Sequence, residues 1–261
     1  MMDRLYRVEM AGAARYVIER SDFWYELKGD IYAGYEAGLQ LDAEEVSAAR
    51  VLAPVMPSKI VAVGLNYRDH AKEMGKTLPD EPLIFLKPST AVVGPSGRIV
   101  LPAGAGRVDH EAELGIVIGK TAYQVPADCA QEYVLGLTCV NDVTDRDLQR
   151  RDVQYTRGKG FDTFAPIGPA VAVGVDGTAL DVESAVNGDL RQSSNTRELI
   201  FSLDQLIEFV TGVMTLLPGD IISTGTPSGV GPLCAGDRVT VKVEGVGELI
   251  NDVVSDERSG R

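Results

Sequence analysis

The chain has 261 residues, of which 44% are hydrophobic and 24% charged, enough apolar material for a large buried core and a composition that excludes a disordered chain. Its formal charge of −13 argues against nucleic acid or an anionic membrane as partner, since either polyanion would repel it. The three cysteines, Cys129, Cys139 and Cys234, have neither the even count of a disulfide framework nor the spacing of a zinc site. The opening Met1-Met2-Asp3-Arg4-Leu5-Tyr6-Arg7 lacks the apolar stretch of a signal peptide, and no segment runs to about 18 consecutive apolar residues. The expectation is a cytoplasmic protein with reduced thiols.

In chain order, residues 1–56 read as a small β module, with short strands over 4–10, 14–19, 23–27 and 31–33 separated by turn residues. Ala53-Pro54-Val55-Met56-Pro57 punctuates the chain, so the boundary is placed near 57, with a second domain over 57–261. Lys59-Ile60-Val61-Ala62-Val63 then reads as a mostly apolar strand. Helical patterns cover 66–75, 145–154 and 203–217, with Asn66 as an N-cap and Gly75 as a stop for the first, and Thr144 with Asp147 as a capping box for the second. A strand followed by a glycine-rich loop occupies 219–231, and 238–243 with 248–253 form a closing hairpin. Strands dominate, which predicts a mixed, β-rich α+β fold.

The chemistry concentrates in carboxylates. Asp109-His110-Glu111-Ala112-Glu113 runs into the apolar Leu114-Gly115-Ile116-Val117-Ile118, so Glu111 and Glu113 fall on one face of a strand. The strand is apolar on both faces and therefore buried, where two like charges are costly without a cation between them. Asp142 ends another apolar run, 134–142, and adds a third oxygen ligand. A set of three carboxylates suits Mg²⁺ or Mn²⁺. Asp142 can also serve as a capping or turn residue, and the two roles are compatible.

His70 and Glu73 stand at i and i+3 of the first helix, where the carboxylate can orient the imidazole for general-base work, or the two can be a surface ion pair. Both histidines of the chain lie inside acidic motifs, and Gly64, Gly75 and Pro79 suit a segment that closes over a site. Lys159 lies between two glycines, Gly158 and Gly160, which allow close backbone approach and can aim its ammonium at an oxyanion or at the carboxylates. Arg146 and Gln149, three apart, can project together toward a substrate carboxylate or form a solvated helix face. Thr224-Gly225-Thr226-Pro227 supplies hydroxyl and N–H donors without the lysine of a P-loop.

Six ordered motifs over roughly 57–254 together resemble the fumarylacetoacetate hydrolase family. They are Val63-Gly64-Leu65-Asn66-Tyr67-Arg68-Asp69-His70, Phe85-Leu86-Lys87-Pro88-Ser89, His110-Glu111-Ala112-Glu113-Leu114, Asn141-Asp142-Val143-Thr144-Asp145-Arg146-Asp147, Lys159-Gly160-Phe161-Asp162-Thr163 and Thr224-Gly225-Thr226-Pro227. The resemblance is to the single-chain branch of acylpyruvate hydrolases, oxaloacetate decarboxylases and 2-hydroxyhepta-2,4-diene-1,7-dioate isomerases. It implies a β-roll catalytic fold with a small N-terminal module, a homodimer, and Mg²⁺ or Mn²⁺ held at Glu111, Glu113 and Asp142. It further implies Lys159 beside the metal, a lid carrying the His70/Glu73 dyad, and Arg146, Gln149 and Thr226 on the carboxylate or carbonyl oxygens of the substrate. The implied substrate is a small 2-oxo acid or its enol, handled through an enolate, with isomerisation, decarboxylation and C–C hydrolysis all open. A non-catalytic metal- and acid-binding protein of the same fold is the alternative.

Overall fold

A computed structural model describes residues 2–256; Met1 and residues 257–261, the end of the expected second domain, lie outside the described residues. The order along the main sheet is Gly34–Leu41, Phe23–Asp30, Ala13–Arg20, Asp3–Met10, Ala165–Val173, Val134–Asn141, Ala112–Ile118, Ile221–Ser223, Lys59–Val63, Ile84–Pro88. A second sheet runs Asp189–Asn195, Asp181–Val186, Arg238–Val243, Gly247–Ser255, Arg98–Leu101. A small third sheet joins Thr144–Asp145, Val108–His110 and Gly231–Pro232. The expected β-rich α+β architecture is thus present. The strands of the first fifty residues continue the main sheet, because Leu5 of Asp3–Met10 pairs with Val171 of Ala165–Val173.

Burial on both faces explains the apolar run at the centre. In Ala112–Ile118 every residue is buried; Leu114, Ile116 and Ile118 enter one core cluster with Leu206, Ile207 and Val241, whereas Val117 enters another with Val140, Ile167 and Ile221. Alternate side chains leave a strand on opposite sides, so a sheet covered on both faces needs apolar residues at both parities. Each fully buried Leu or Ile contributes roughly 1.5–3 kcal/mol. The helix Leu203–Val213 buries Leu206, Ile207 and Val210 against this cluster and is closed at its start by a capping box between Ser202 and Gln205.

Three local expectations fail for identifiable reasons. Residues 31–33 form a turn rather than a strand, because the Asp30 carboxylate accepts the N–H groups of Tyr32 and Ala33, and the next strand is Gly34–Leu41. Asn66 does not cap: the helix is Arg68–Glu73, its N-cap is Tyr67, and the Asn66 side chain bonds the Phe201 N–H and the Thr224 carbonyl. Asp145, not Thr144, caps Arg146–Arg151, accepting from the N–H groups of Asp147 and Leu148, while the Thr144 hydroxyl donates to the Asp142 carbonyl.

Candidate active site

Strand register gathers the acids. Ala112 pairs with Asn141 across antiparallel strands, so residue 142 falls opposite 111, and the Asp142 N–H donates to the Glu111 carbonyl at 2.9 Å. On the other side Gly115 pairs with Ser223, which carries Gly225 opposite Glu113 and Thr226 opposite Ala112. The Gly225 N–H reaches the Glu113 carboxylate at 3.0 Å, and Ser223 donates its hydroxyl to the same oxygen. Gly225 has φ +96°, and a Cβ there would lie 2.8 Å from Cβ of Asn66, so only glycine presents that N–H without strain.

Glu111, Glu113 and Asp142 each offer an oxygen within 4.8 Å of the others, and all three are buried. Glu111 is not within the strand itself but in the break between Val108–His110 and Ala112–Ile118. Its carboxylate accepts from Lys159 Nζ at 2.7 Å and forms an ion pair with Arg146 Nη2 at 2.6 Å. Asp142 is bonded by both Lys159 and Lys87. Burial opposes ionisation of Glu111, but Lys159 and Arg146 outweigh it and hold the carboxyl well below its usual range. Glu113 makes no ion pair among the described residues; burial, then Asp142 and Glu111, push its carboxyl up to about 8.

The lysines differ as the carboxylates do. Lys159, 2% exposed, sits at the end of the short helix Thr156–Lys159 with Nζ 4.9 Å from the centroid of the Phe85 ring. Burial disfavours its charge, yet Asp142, Glu111 and Glu113 together raise its pKa. Lys87 is fully buried in the strand Ile84–Pro88, and there burial prevails and lowers its pKa. Arg146 donates from Nε to Asp109 at 2.8 Å and from Nη1 to Gln149 at 2.9 Å. Burial works against its charge, but Glu111 and Asp109 raise its pKa well above normal.

Glu111, Glu113, Arg146 and Lys159 line one cavity of about 300 Å³, together with Gly64, His70, Met74, Lys76, Leu83, Phe85, Gln149, Arg150, Tyr155 and Thr226. His70 Nδ1 lies 2.9 Å from Glu73, and Glu73 in turn accepts the Gly229 N–H at 3.2 Å. The helix Arg68–Glu73 is held at its other end by Arg68 Nη1 donating to Leu199 O at 2.6 Å and by the Ser194 hydroxyl donating to Asp69 at 2.7 Å. A larger cavity of about 750 Å³ lies on the Arg68 side of that helix, bounded by Thr178, Arg197 and Gln205. Among the described residues its charged lining is Arg68, Asp176, Arg197 and Asp204, whereas His70, Lys159 and the paired glutamates line the smaller one.

The structure therefore brings Glu111, Glu113, Arg146, Gln149, Lys159, His70 and Thr226 to one space, with Asp142 beneath Lys159 and Glu73 behind His70. His110 is turned away, with Nδ1 3.2 Å from Gln192 Oε1 and Nε2 buried with no partner among the described residues. Burial lowers its pKa. Four supporting residues carry no assignment from spacing alone: Lys87, Asp109, Gln192 and Ser223. Lys87 had a usable signal, a lysine inside an otherwise apolar strand. Gln192 had none, since the strand around it is polar and exposed.

A cation fits this site on its chemistry. The donors are all carboxylate oxygen, as hard divalent ions require, and Glu113 is the acid that the protein's own cations leave unpaired.

The family described as fumarylacetoacetate (FAA) hydrolase C-terminal matches residues 59–254. A mitochondrial oxaloacetate tautomerase of Bos taurus is 44% identical over 228 residues, 82% of this chain and 73% of that protein. The crystal structure of 5-carboxymethyl-2-hydroxymuconate delta-isomerase from Mycobacterium smegmatis superposes with a TM-score of 0.89 at 42% identity, covering 97% of this chain and 100% of that one. Maleylpyruvate hydrolase from Sphingobium sp. SYK-6, solved with manganese(II) and pyruvate, gives a TM-score of 0.80 at 32% identity with the same coverage. Among the described residues no helix is long and apolar enough to cross a membrane.

Proposed function

The chain belongs to the fumarylacetoacetate hydrolase family, and on that premise we propose that it is a Mg²⁺- or Mn²⁺-dependent enzyme that moves a proton between the keto and enol forms of a small 2-oxo diacid. The observation that carries the reading is His70, held 2.9 Å from Glu73 and lining the same cavity as Glu111, Glu113 and Lys159. Acid–base and charge-stabilising groups then converge on one small ligand.

Glu111, Glu113 and Asp142 would hold the divalent cation, which when bound supplies Lewis-acid polarisation of the ligand's oxygens. Glu73 occupies His70 Nδ1, leaving Nε2 to take a proton from substrate carbon or return it. Lys159 places a fixed ammonium where negative charge develops on oxygen, with Phe85 keeping water from its other side. Arg146 and Gln149 line the wall on which the carboxylate next to the reacting carbonyl would rest. Lys76, which makes no ion pair among the described residues, and Arg150 also line this cavity, and their charges suit a second, distal carboxylate. The isomerase and tautomerase relatives support this reading; the hydrolase neighbour, holding manganese and pyruvate, supports the cation and the 2-oxo acid.

A second reading, C–C hydrolysis, rests on the same dyad with His70 activating water instead. The reading also carries a homodimer in the cytoplasm, and light scattering of the purified protein checks the former. Proton NMR of cation-stripped protein, with Mg²⁺ restored, on oxaloacetate, acetylpyruvate and 2-hydroxyhepta-2,4-dienedioate tests the reaction. Keto–enol exchange or a shifted double bond means isomerase, acetate plus pyruvate means hydrolase, and pyruvate from oxaloacetate means decarboxylase. No cation-dependent change in any of them would sink the proposal.

A further inference from the structure

Proton bookkeeping at Thr226 constrains the ligand more tightly than the shape of the cavity does. Gln192 lies in the strand Asp189–Asn195 and is its one fully buried member. Its Oε1 accepts the backbone N–H of Ala112 at 2.9 Å and the Ser184 hydroxyl at 2.9 Å. A backbone N–H can only donate, so the oxygen end of this carboxamide is identified without ambiguity. The nitrogen end then donates its two protons to Thr226 Oγ1 at 2.8 Å and to the Pro227 carbonyl at 2.9 Å. Thr226 Oγ1 receives one proton there, and its own proton goes to the Ala112 carbonyl at 2.9 Å, a group that can only accept. The loop holding Thr226 is fixed against the same strand at Gly229, whose φ is +92° and where a Cβ would lie 2.3 Å from the Arg191 carbonyl.

Thr226 borders the cavity beside Glu111, Glu113 and Lys159, yet its hydroxyl has no proton left to give. Among the described residues nothing takes the second lone pair of its oxygen. A ligand oxygen meeting it must bring a proton, as an enol or alcohol hydroxyl does and as a ketone or carboxylate oxygen does not. Resting on the 2-oxo-acid reading above, we propose that Gln192 is a positioning residue that locks Thr226 as an acceptor, and that Thr226 thereby selects the 2-hydroxy form of the ligand over its 2-oxo form. The two forms of one acid differ at that oxygen, so the preference follows from a single hydrogen bond.

The test uses two stable diacids of equal length that differ only at carbon 2, 2-hydroxyglutarate and 2-oxoglutarate, titrated calorimetrically into the full chain with Mg²⁺ present. The readout is the ratio of the two Kd values, which a general loss of packing would not move selectively. The unaltered protein is expected to favour one enantiomer of 2-hydroxyglutarate by about tenfold, the equivalent of one net hydrogen bond. Thr226→Val should remove that preference by weakening the hydroxy acid alone, and Thr226→Ser should restore it. Gln192→Leu frees the Thr226 hydroxyl to turn, and should bring the ratio toward one; if that variant does not fold, the Thr226 pair decides the matter. Binding of both acids with a ratio unchanged in Thr226→Val would overturn this inference and leave the 2-oxo-acid reading standing. Binding of neither acid to the unaltered protein would overturn that reading and this inference with it.

Discussion

Lys159 Nζ and the Glu111 carboxylate, 48 residues apart in the chain, meet at 2.7 Å inside the protein. The same ammonium also bonds Asp142, so one buried cation ties together two of the three clustered acids. Removing one partner of a buried pair leaves the other charge without compensation and costs about 3–5 kcal/mol. Lys159→Met should therefore lower stability to denaturant by about that much in cation-free protein, and added Mg²⁺ should recover part of the loss. Turnover should fall by about 10²–10³-fold. A variant as stable and as active as the parent would remove Lys159 from the site chemistry.

Glu113 sets a pH dependence of definite sign. Its carboxyl titrates near 4.5 when unperturbed and is pushed up to about 8 in the fold by burial beside Asp142 and Glu111. Between these values the folded chain binds more protons than the unfolded one, so the stability of cation-free protein falls as pH rises through this window. A ligating carboxylate must lose its proton, so affinity for Mg²⁺ or Mn²⁺ should rise over the same range. Thermal melts from pH 5 to 8, with and without Mg²⁺, should show the downward slope flattened in Glu113→Gln and opposed by the cation in the parent. Equal slopes for parent and variant would contradict the assignment.

The dyad separates catalysis from stability. His70 lines the cavity and the Glu73 side chain is 45% exposed, so each can be exchanged for an amide of similar size with little loss of packing. His70→Gln should reduce kcat by about 10²–10⁴-fold with little change in melting temperature. Glu73→Gln should reduce it less, on the order of tenfold, by loosening the ring and the bond to Gly229. A His70→Gln variant with parental turnover would transfer the proton step to another group.

Lys76 distinguishes diacids from monoacids. The residue is exposed, lines the cavity and has no competing carboxylate partner among the described residues. Lys76→Ala should raise KM for a dioate by roughly five- to tenfold at low salt, with kcat and the KM for a 2-oxo monoacid unchanged, and the difference should shrink as salt screens the charge. Equal effects on both substrate types would place the distal carboxylate elsewhere.

Residues 1–56 should not be separable from the rest. Leu5, Ile18, Ile31, Ala53 and Val55 share a core cluster with Ile60, Val117, Val140 and Ile221. A chain beginning at 57 would also uncover the edge of Ala165–Val173 that Asp3–Met10 now covers. Expression of 57–261 should yield aggregated protein, judged by sedimentation and circular dichroism; a soluble, cooperatively melting fragment would show the first strands to be an accessory.

Much of this molecule is written in local pattern. The doubly apolar run after Glu113 announced a strand buried on both sides, the glycine and proline punctuation marked the turns, and the acidic spacing marked the carboxylate cluster. Local chemistry also decided the details that spacing misjudged: Asp30 folds 31–33 into a turn, and Asp145 outcompetes Thr144 as a cap, because a short carboxylate reaches neighbouring N–H groups. What tertiary structure alone decided is partnership at long range. The registers that place 142 opposite 111 and 225 opposite 113 are properties of strand pairing, which period-two patterning specifies by face but not by neighbour. Lys87 under Asp142, Arg146 turned onto Glu111 and Asp109, and Gln192 holding Thr226 from the second sheet all follow from that pairing. Residue types named the chemistry available, and the sheet determined which proton each hydroxyl and carboxylate is free to use.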